Sequence, residues 1–122
     1  MRYVEIGSTG IKASAITLGA MGLGGGFRYP DADDDVSVRT VQHALDEGIN
    51  FFDTAPVYGF GHSEEVLGRA LKGRRNEAVI STKCGLWWED DEGSYRFTWD
   101  GYAVKRNLSA RTIRRELERS LK

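Results

Sequence analysis

The sequence predicts an α/β fold assembled from strand–helix units in parallel order, and three observations carry that prediction. Short apolar runs alternate three times with segments whose apolar residues recur at spacings of three and four. An Asp or Ser precedes each helical segment, and Gly48 and Gly73 follow the first two. A turn-forming group, Gly7-Ser8-Thr9-Gly10, separates two short runs ahead of the first unit. The expected organisation is a hairpin over 2–14 followed by about three βα units over 15–122. Such units in series imply right-handed crossovers and a parallel sheet. A doubly wound sheet and a barrel both use them, and the early hairpin suits a barrel plugged at its bottom.

In the hairpin, Tyr3, Val4 and Ile6 lead into the turn and Ile11-Lys12-Ala13 returns. The first strand is Ala15-Ile16-Thr17-Leu18, closed by Gly19. A glycine-rich loop to Gly26 and an acidic group, Asp31 to Asp35, come next. Asp there caps a helix and its charge suits the helix N-terminus. Val38, Val41, Ala44 and Leu45 share one face of that helix. The second strand, Ile49-Asn50-Phe51-Phe52, ends at Asp53. Ser63 is the expected cap of the second helix, whose buried face is Val66, Leu67, Ala70 and Leu71. The third strand, Ala78 to Thr82, ends at Lys83. A loop of about two dozen residues follows, rich in aromatic and acidic side chains. Ser109 is the expected cap of a third helix with Ala110, Ile113, Leu117 and Leu121 on its buried face. Three strands are too few to close a barrel of about 250 residues, so the chain is expected to be an N-terminal portion.

Composition narrows the function. The 122 residues carry 17 basic and 18 acidic side chains, a net charge of −1, with no strongly basic stretch. Attraction to nucleic acid or to an anionic membrane is not indicated. No apolar run approaches the roughly 20 residues that span a bilayer. One cysteine, Cys84, excludes an internal disulfide, and a cytoplasmic setting is expected.

In βα folds reactive groups collect at the C-terminal ends of the strands. Asp53 and Lys83 occupy two such ends, and Tyr58 lies in the loop leaving the same edge. A lysine beside a tyrosine hydroxyl favours the phenolate and brings its pKa down from about 10. An aspartate beside the lysine keeps it charged. The trio suits proton donation to a carbonyl oxygen. The alternative on spacing alone is a loop-capping Asp and a Tyr packed on the rim.

The run Phe52-Asp53-Thr54-Ala55-Pro56-Val57-Tyr58-Gly59, followed by Ser63-Glu64-Glu65-Val66-Leu67-Gly68-Arg69-Ala70-Leu71, resembles the signature of the aldo-keto reductase superfamily. Ile80-Ser81-Thr82-Lys83 is similar to its third-strand motif, and Leu18-Gly19-Ala20-Met21-Gly22 to its first strand end. The stretch from Tyr58 to Glu65 looks most like bacterial members of the general-stress-protein type. The resemblance implies the N-terminal part of a (β/α)8 TIM barrel, not closed by this chain. It implies NADPH-linked interconversion of small carbonyls and alcohols by the parent protein, with the truncated chain inactive alone.

Asp53, Tyr58 and Lys83 match three members of the family's Asp, Tyr, Lys and His tetrad. The histidine belongs at the end of a fourth strand, after Lys122; neither His43 nor His62 matches it. The family's NADPH lies across the barrel top. Here Gly19, Ala20, Met21 and Gly22 would face the nicotinamide end and Asp53 its ribose, with most of the cofactor site outside this chain. Trp87 and Trp88 are candidates for an apolar substrate wall, or else pack a long loop onto the barrel.

Other signals are set aside. Gly22-Leu23-Gly24-Gly25-Gly26 lacks the GxGxxG spacing, since Phe27 stands at the last position. Asp31 to Asp35 begins like a calcium loop, but Val36 replaces the turn glycine and Gln42 the bidentate Glu, so no metal is expected. Cys84 is read as a small buried residue. Two rival functions stand: a lyase using Lys83 as a Schiff-base amine, and a non-catalytic piece that self-associates or binds a complementary fragment through an exposed sheet edge.

Overall fold

A computed structural model describes residues 1–25 and 29–122; Gly26 and Phe27 of the glycine run lie outside the described residues. The hairpin pairs β1 (Tyr3–Glu5) with β2 (Lys12–Ser14) antiparallel. Asn50 ties it to the rest of the chain. Its Oδ1 accepts from Ser14 N at 2.7 Å and its Nδ2 donates to the Lys12 carbonyl at 3.1 Å.

The three expected parallel strands are present in sequence order: β3 (Thr17–Gly19), β4 (Phe51–Asp53) and β5 (Val79–Ser81). Their register places Gly19, Asp53 and Ser81 in one row at the C-terminal ends. That row is the rim on which any chemistry is built. Helix α1 (Asp34–Asp46) starts at the Asp33 cap, whose carboxylate accepts from Val36 N at 2.8 Å, and stops before Gly48 at φ +85°. Helix α2 (His62–Ala70) follows β4. The two helices cover the sheet through Val41, Leu45, Val66 and Leu67, with Phe52 of β4 fully enclosed between them. Deleting such a ring costs about 3–5 kcal/mol, so this layer anchors the strand that ends in Asp53. His62 Nε2 meets Asp34 Oδ1 at 2.7 Å and Arg69 meets Asp34 Oδ2 at 2.8 Å, clasping α1 to α2.

Three expectations fail, each for a physical reason. Ser63 does not cap α2. The residue at the cap position is Gly61, at φ +104°, and it makes no side-chain bond; Ser63 lies inside the first turn, fully buried, with its hydroxyl committed to tertiary partners. The segment after β5 is not a loop. It forms an antiparallel sheet of β6 (Leu86–Trp87), β8 (Tyr102–Arg106) and β7 (Ser94–Trp99), in that order. The sequence carries the local signal for it: Asp100-Gly101 between two aromatic runs is a two-residue hairpin turn, and both residues sit at positive φ, 49° and 81°.

Third, α3 (Ala110–Ser120) buries the wrong face. Its Ser109 cap is as expected. However, Thr112 and Glu116 are buried, while Ile113, Leu117 and Leu121 are 37%, 52% and 76% exposed and Ala110 is exposed too. Arginines spaced by four decide the orientation. Arg111, Arg115 and Arg119 pair with Glu92, Asp90 and Glu89 of the connection between β6 and β7, and Arg115 lies 4.0 Å over the Trp87 ring. Periodicity tells which residues share a face, not which face is covered.

Two substitutions separate a cap from a buried bridge. Ser109→Ala is expected to cost about 1 kcal/mol in urea unfolding. Ser63→Ala is expected to cost ~1–3 kcal/mol, because it strips partners from buried groups. A Ser63 variant milder than the Ser109 variant would contradict the assignment.

Candidate active site

Lys83 extends from the end of β5 across the rim to the end of β4. Its Nζ donates to Asp53 Oδ2 at 2.7 Å and to the Thr54 carbonyl at 2.8 Å. The same ammonium stands 5.0 Å from the centroid of the Tyr58 ring. The structure therefore brings all three predicted residues together. Burial works against charge on Lys83. The Asp53 carboxylate and the Tyr58 hydroxyl outweigh it and hold the lysine above its ordinary 10.5. The pair is accessible, with Lys83 and Asp53 side chains 47% and 36% exposed, so its worth to stability is small.

The backbone beneath this trio is tightly specified. Tyr58 begins a single-turn segment, Tyr58–Gly61, in which Gly59, Phe60 and Gly61 all have positive φ. It lies against a matching turn, Met21–Gly24. A Cβ on Gly59 would fall 2.0 Å from the Gly24 carbonyl oxygen, and one on Gly24 would fall 2.8 Å from the Tyr58 carbonyl. Only glycine lets these two loops touch, and their contact sets the height of Tyr58. Phe60 is not glycine, and its left-handed backbone costs about 1–2 kcal/mol. Ring contacts with Trp88 at 5.0 Å and Tyr102 at 4.6 Å offset that cost.

Thr54 and Ser63, the latter freed from the expected helix cap, lock the rim. Ser63 Oγ donates to the Ala20 carbonyl at 2.7 Å and shares a hydrogen bond with Thr54 Oγ1 at 3.1 Å. Ala20 N in turn donates to the Asp53 carbonyl at 2.8 Å. The ends of β3 and β4 and the start of α2 are joined by three bonds. Only the adjacency of Thr54 to Asp53 hinted at this.

The candidate cofactor residues divide. Ala20 is fully buried with both backbone groups engaged, so it shapes the rim from beneath. Gly19 ends β3 beside Asp53, and a Cβ there would meet nothing within 4 Å. Met21 and Gly22 are half-buried. The space over Gly19 is open and borders the Asp53 strand end. Trp87 and Trp88 are 1% and 9% exposed. Trp87 is enclosed by Arg115, Arg119 and Trp88 and packs the antiparallel sheet against α3. Trp88 faces Phe60, next to Tyr58. Cys84 is exposed rather than buried, contrary to expectation. Among the described residues no metal-ligating cluster forms, and no helix is long and apolar enough to cross a membrane.

Comparison with known proteins shows the family and the fold. A model of the Aldo/keto reductase family matches residues 15–122. The chain is 39% identical to the aldo-keto reductase YhdN of Bacillus subtilis, over all of this chain and 34% of that protein. It is 39% identical to an NADH-specific methylglyoxal reductase of Escherichia coli, over 99% of this chain and 37% of that one. The structure of the glycerol dehydrogenase AKR11B4 from Gluconobacter oxydans superposes with a TM-score of 0.76 at 42% identity, covering 98% of this chain and 34% of the other. The chain thus spans about a third of the length of these relatives. Their similarity identifies the fold as part of a (β/α)8 barrel, of which three parallel strands are present here.

The Asp53 contact has a direct readout. Lys83 is expected to titrate above the ordinary lysine range by side-chain NMR, and Asp53→Asn is expected to bring it down. Because the folded value lies above the unfolded one, any stabilisation is complete at lower pH and fades as pH rises through the folded value. An unchanged Lys83 titration in the variant would refute the pairing.

Proposed function

The chain belongs to the aldo/keto reductase family, and from that premise we propose that it supplies the acid–base half of an NADPH-dependent reductase interconverting small carbonyls and alcohols. The observation that carries the reading is the Lys83 ammonium, held by Asp53 and Thr54 within 5.0 Å of the Tyr58 ring centroid. Tyr58 donates its phenolic proton to the carbonyl oxygen of the substrate. The adjacent ammonium stabilises the negative charge left on the phenolic oxygen. Asp53 keeps that ammonium charged and aimed, and the Thr54 carbonyl fixes its second hydrogen. In the alcohol-oxidising direction the same group takes the proton back.

A reduced nicotinamide bound at this rim would supply the hydride. Gly19, Met21 and Gly22 are the residues to hold its ring end, with Ala20 beneath them and Asp53 beside the ribose. NADPH is the proposed form, although one relative is an NADH-specific enzyme. Trp88 with Phe60 supplies an apolar wall next to Tyr58; Trp87 is given a packing role. A lone exposed thiol, Cys84, suits a reducing cytoplasm.

The lyase reading is disfavoured by the same geometry. A Schiff base needs an uncharged amine, and the contacts of Lys83 hold it above its ordinary pKa. The three-stranded sheet encloses no barrel interior, so the 122 residues alone are proposed to turn over negligibly.

Two measurements test this. The isolated chain, given NADPH or NADH and a panel of aldehydes, is expected to show no steady-state cofactor oxidation. Fusion of residues 1–122 to the remaining portion of the Bacillus subtilis relative is expected to be active, and Tyr58→Phe in that fusion to lower kcat by ~10²–10⁴. Undiminished kcat in the variant would exclude Tyr58 as the proton donor.

A further inference from the structure

Glu116 is a carboxylate with no part in the proton transfer, yet it is 1% exposed. Burying an acid is costly unless its oxygens are engaged. Both oxygens of Glu116 accept from a single donor, the Gly85 N–H, at 3.0 Å each. Gly85 lies two residues past Lys83 and is held from other sides as well. Its carbonyl accepts from Asn107 N at 3.1 Å, and a Cβ on it would fall 2.3 Å from the Leu108 side chain. Its φ of +96° is a glycine conformation. The chain thus turns sharply at Gly85 as it leaves the β5 rim, and α3 grips that turn. Burial pushes the Glu116 carboxyl up, against the Gly85 bond and the Arg115 charge, which favour ionisation; Glu64 of α2 adds to the upward push. Such a group is retained at a cost to stability, which points to a geometric role.

We propose that Glu116 is a positioning residue for Lys83: its grip on the Gly85 N–H fixes the turn from which Lys83 reaches Asp53 and Thr54. The functional meaning of that position rests on the reading of Lys83 given above.

The test is competitive reductive methylation of the 122-residue chain with formaldehyde and cyanoborohydride, comparing Lys83 with exposed Lys12 by mass spectrometry. In Glu116→Ala, Lys83 is expected to label about tenfold faster relative to Lys12, the order for loss of a hydrogen bond to a charged group. In Glu116→Gln, whose side-chain oxygen still accepts from Gly85, labelling is expected to stay within about twofold of wild type. If Glu116→Ala does not fold by circular dichroism, Glu116→Asp replaces it, since it keeps the charge but withdraws the oxygens by one methylene. Unchanged Lys83 labelling in the folded Ala or Asp variant overturns the proposal, as does Gln behaving like Ala. The readout requires no turnover, so an inactive Tyr58 reading would leave its result standing.

Discussion

A lysine ammonium shared between a carboxylate and a backbone carbonyl fixes where two strand ends of this protein meet. Lys83 comes from β5 and both of its acceptors from the end of β4, 2.7 and 2.8 Å away. Neither bond is strong in stability terms, because the pair is about half open to water. Their value is directional. Two short donor–acceptor distances leave the ammonium little freedom, and a cation placed next to a tyrosine hydroxyl must be held still if it is to stabilise a charge that forms there.

That placement depends on a polar layer one step below. Strand register sets Gly19, Asp53 and Ser81 side by side. The buried Thr54–Ser63–Ala20 chain then locks the loops leaving that row. Two glycine backbones, at 24 and 59, touch where no side chain fits. In the resulting left-handed run at Gly59, Phe60 and Gly61, the backbone is unfavourable at Phe60 alone and is sustained by the aromatic contacts of its ring. Tyr58 is therefore positioned by packing that originates in the antiparallel sheet, some 30 to 45 residues further along the chain. The arginines of α3 complete that chain of support: they pair with the acidic run and cover Trp87, which holds the sheet in place.

The parallel strands, both covering helices and the clustering of Asp53, Tyr58 and Lys83 were legible in the residues because each depends on a local signal. Apolar runs of strand length mark β3, β4 and β5. Asp33 and Ser109 accept backbone N–H groups a few residues away, an arrangement encoded within one turn. Asp53 and Lys83 fall at strand ends, and strand ends of a parallel sheet share one rim whatever the rest of the fold does. The resemblance of 52–71 and 80–83 to a known family suggested roles for these residues, and the match over 15–122 shows the family.

What only the tertiary structure decided are choices between partners distant in sequence. Ser63 has the right residue type and spacing for a helix cap, but it gains more from two buried partners, one of them 43 residues away. The apolar stripe of α3 is real, yet charge pairing with the acidic connection between β6 and β7 turns a different face inward. Cys84 departs from its expected buried setting for the same reason: burial is a property of what packs on a residue, not of its type. The sequence by itself determined the parallel strands, their helices and which titratable residues stand at the strand ends, through local periodicity and capping; the tertiary structure alone decided the antiparallel sheet and which buried polar groups, Glu116 and Ser63 among them, brace the turns beside those ends, because hydrogen-bond partners separated by 31 and 43 residues leave no periodic trace.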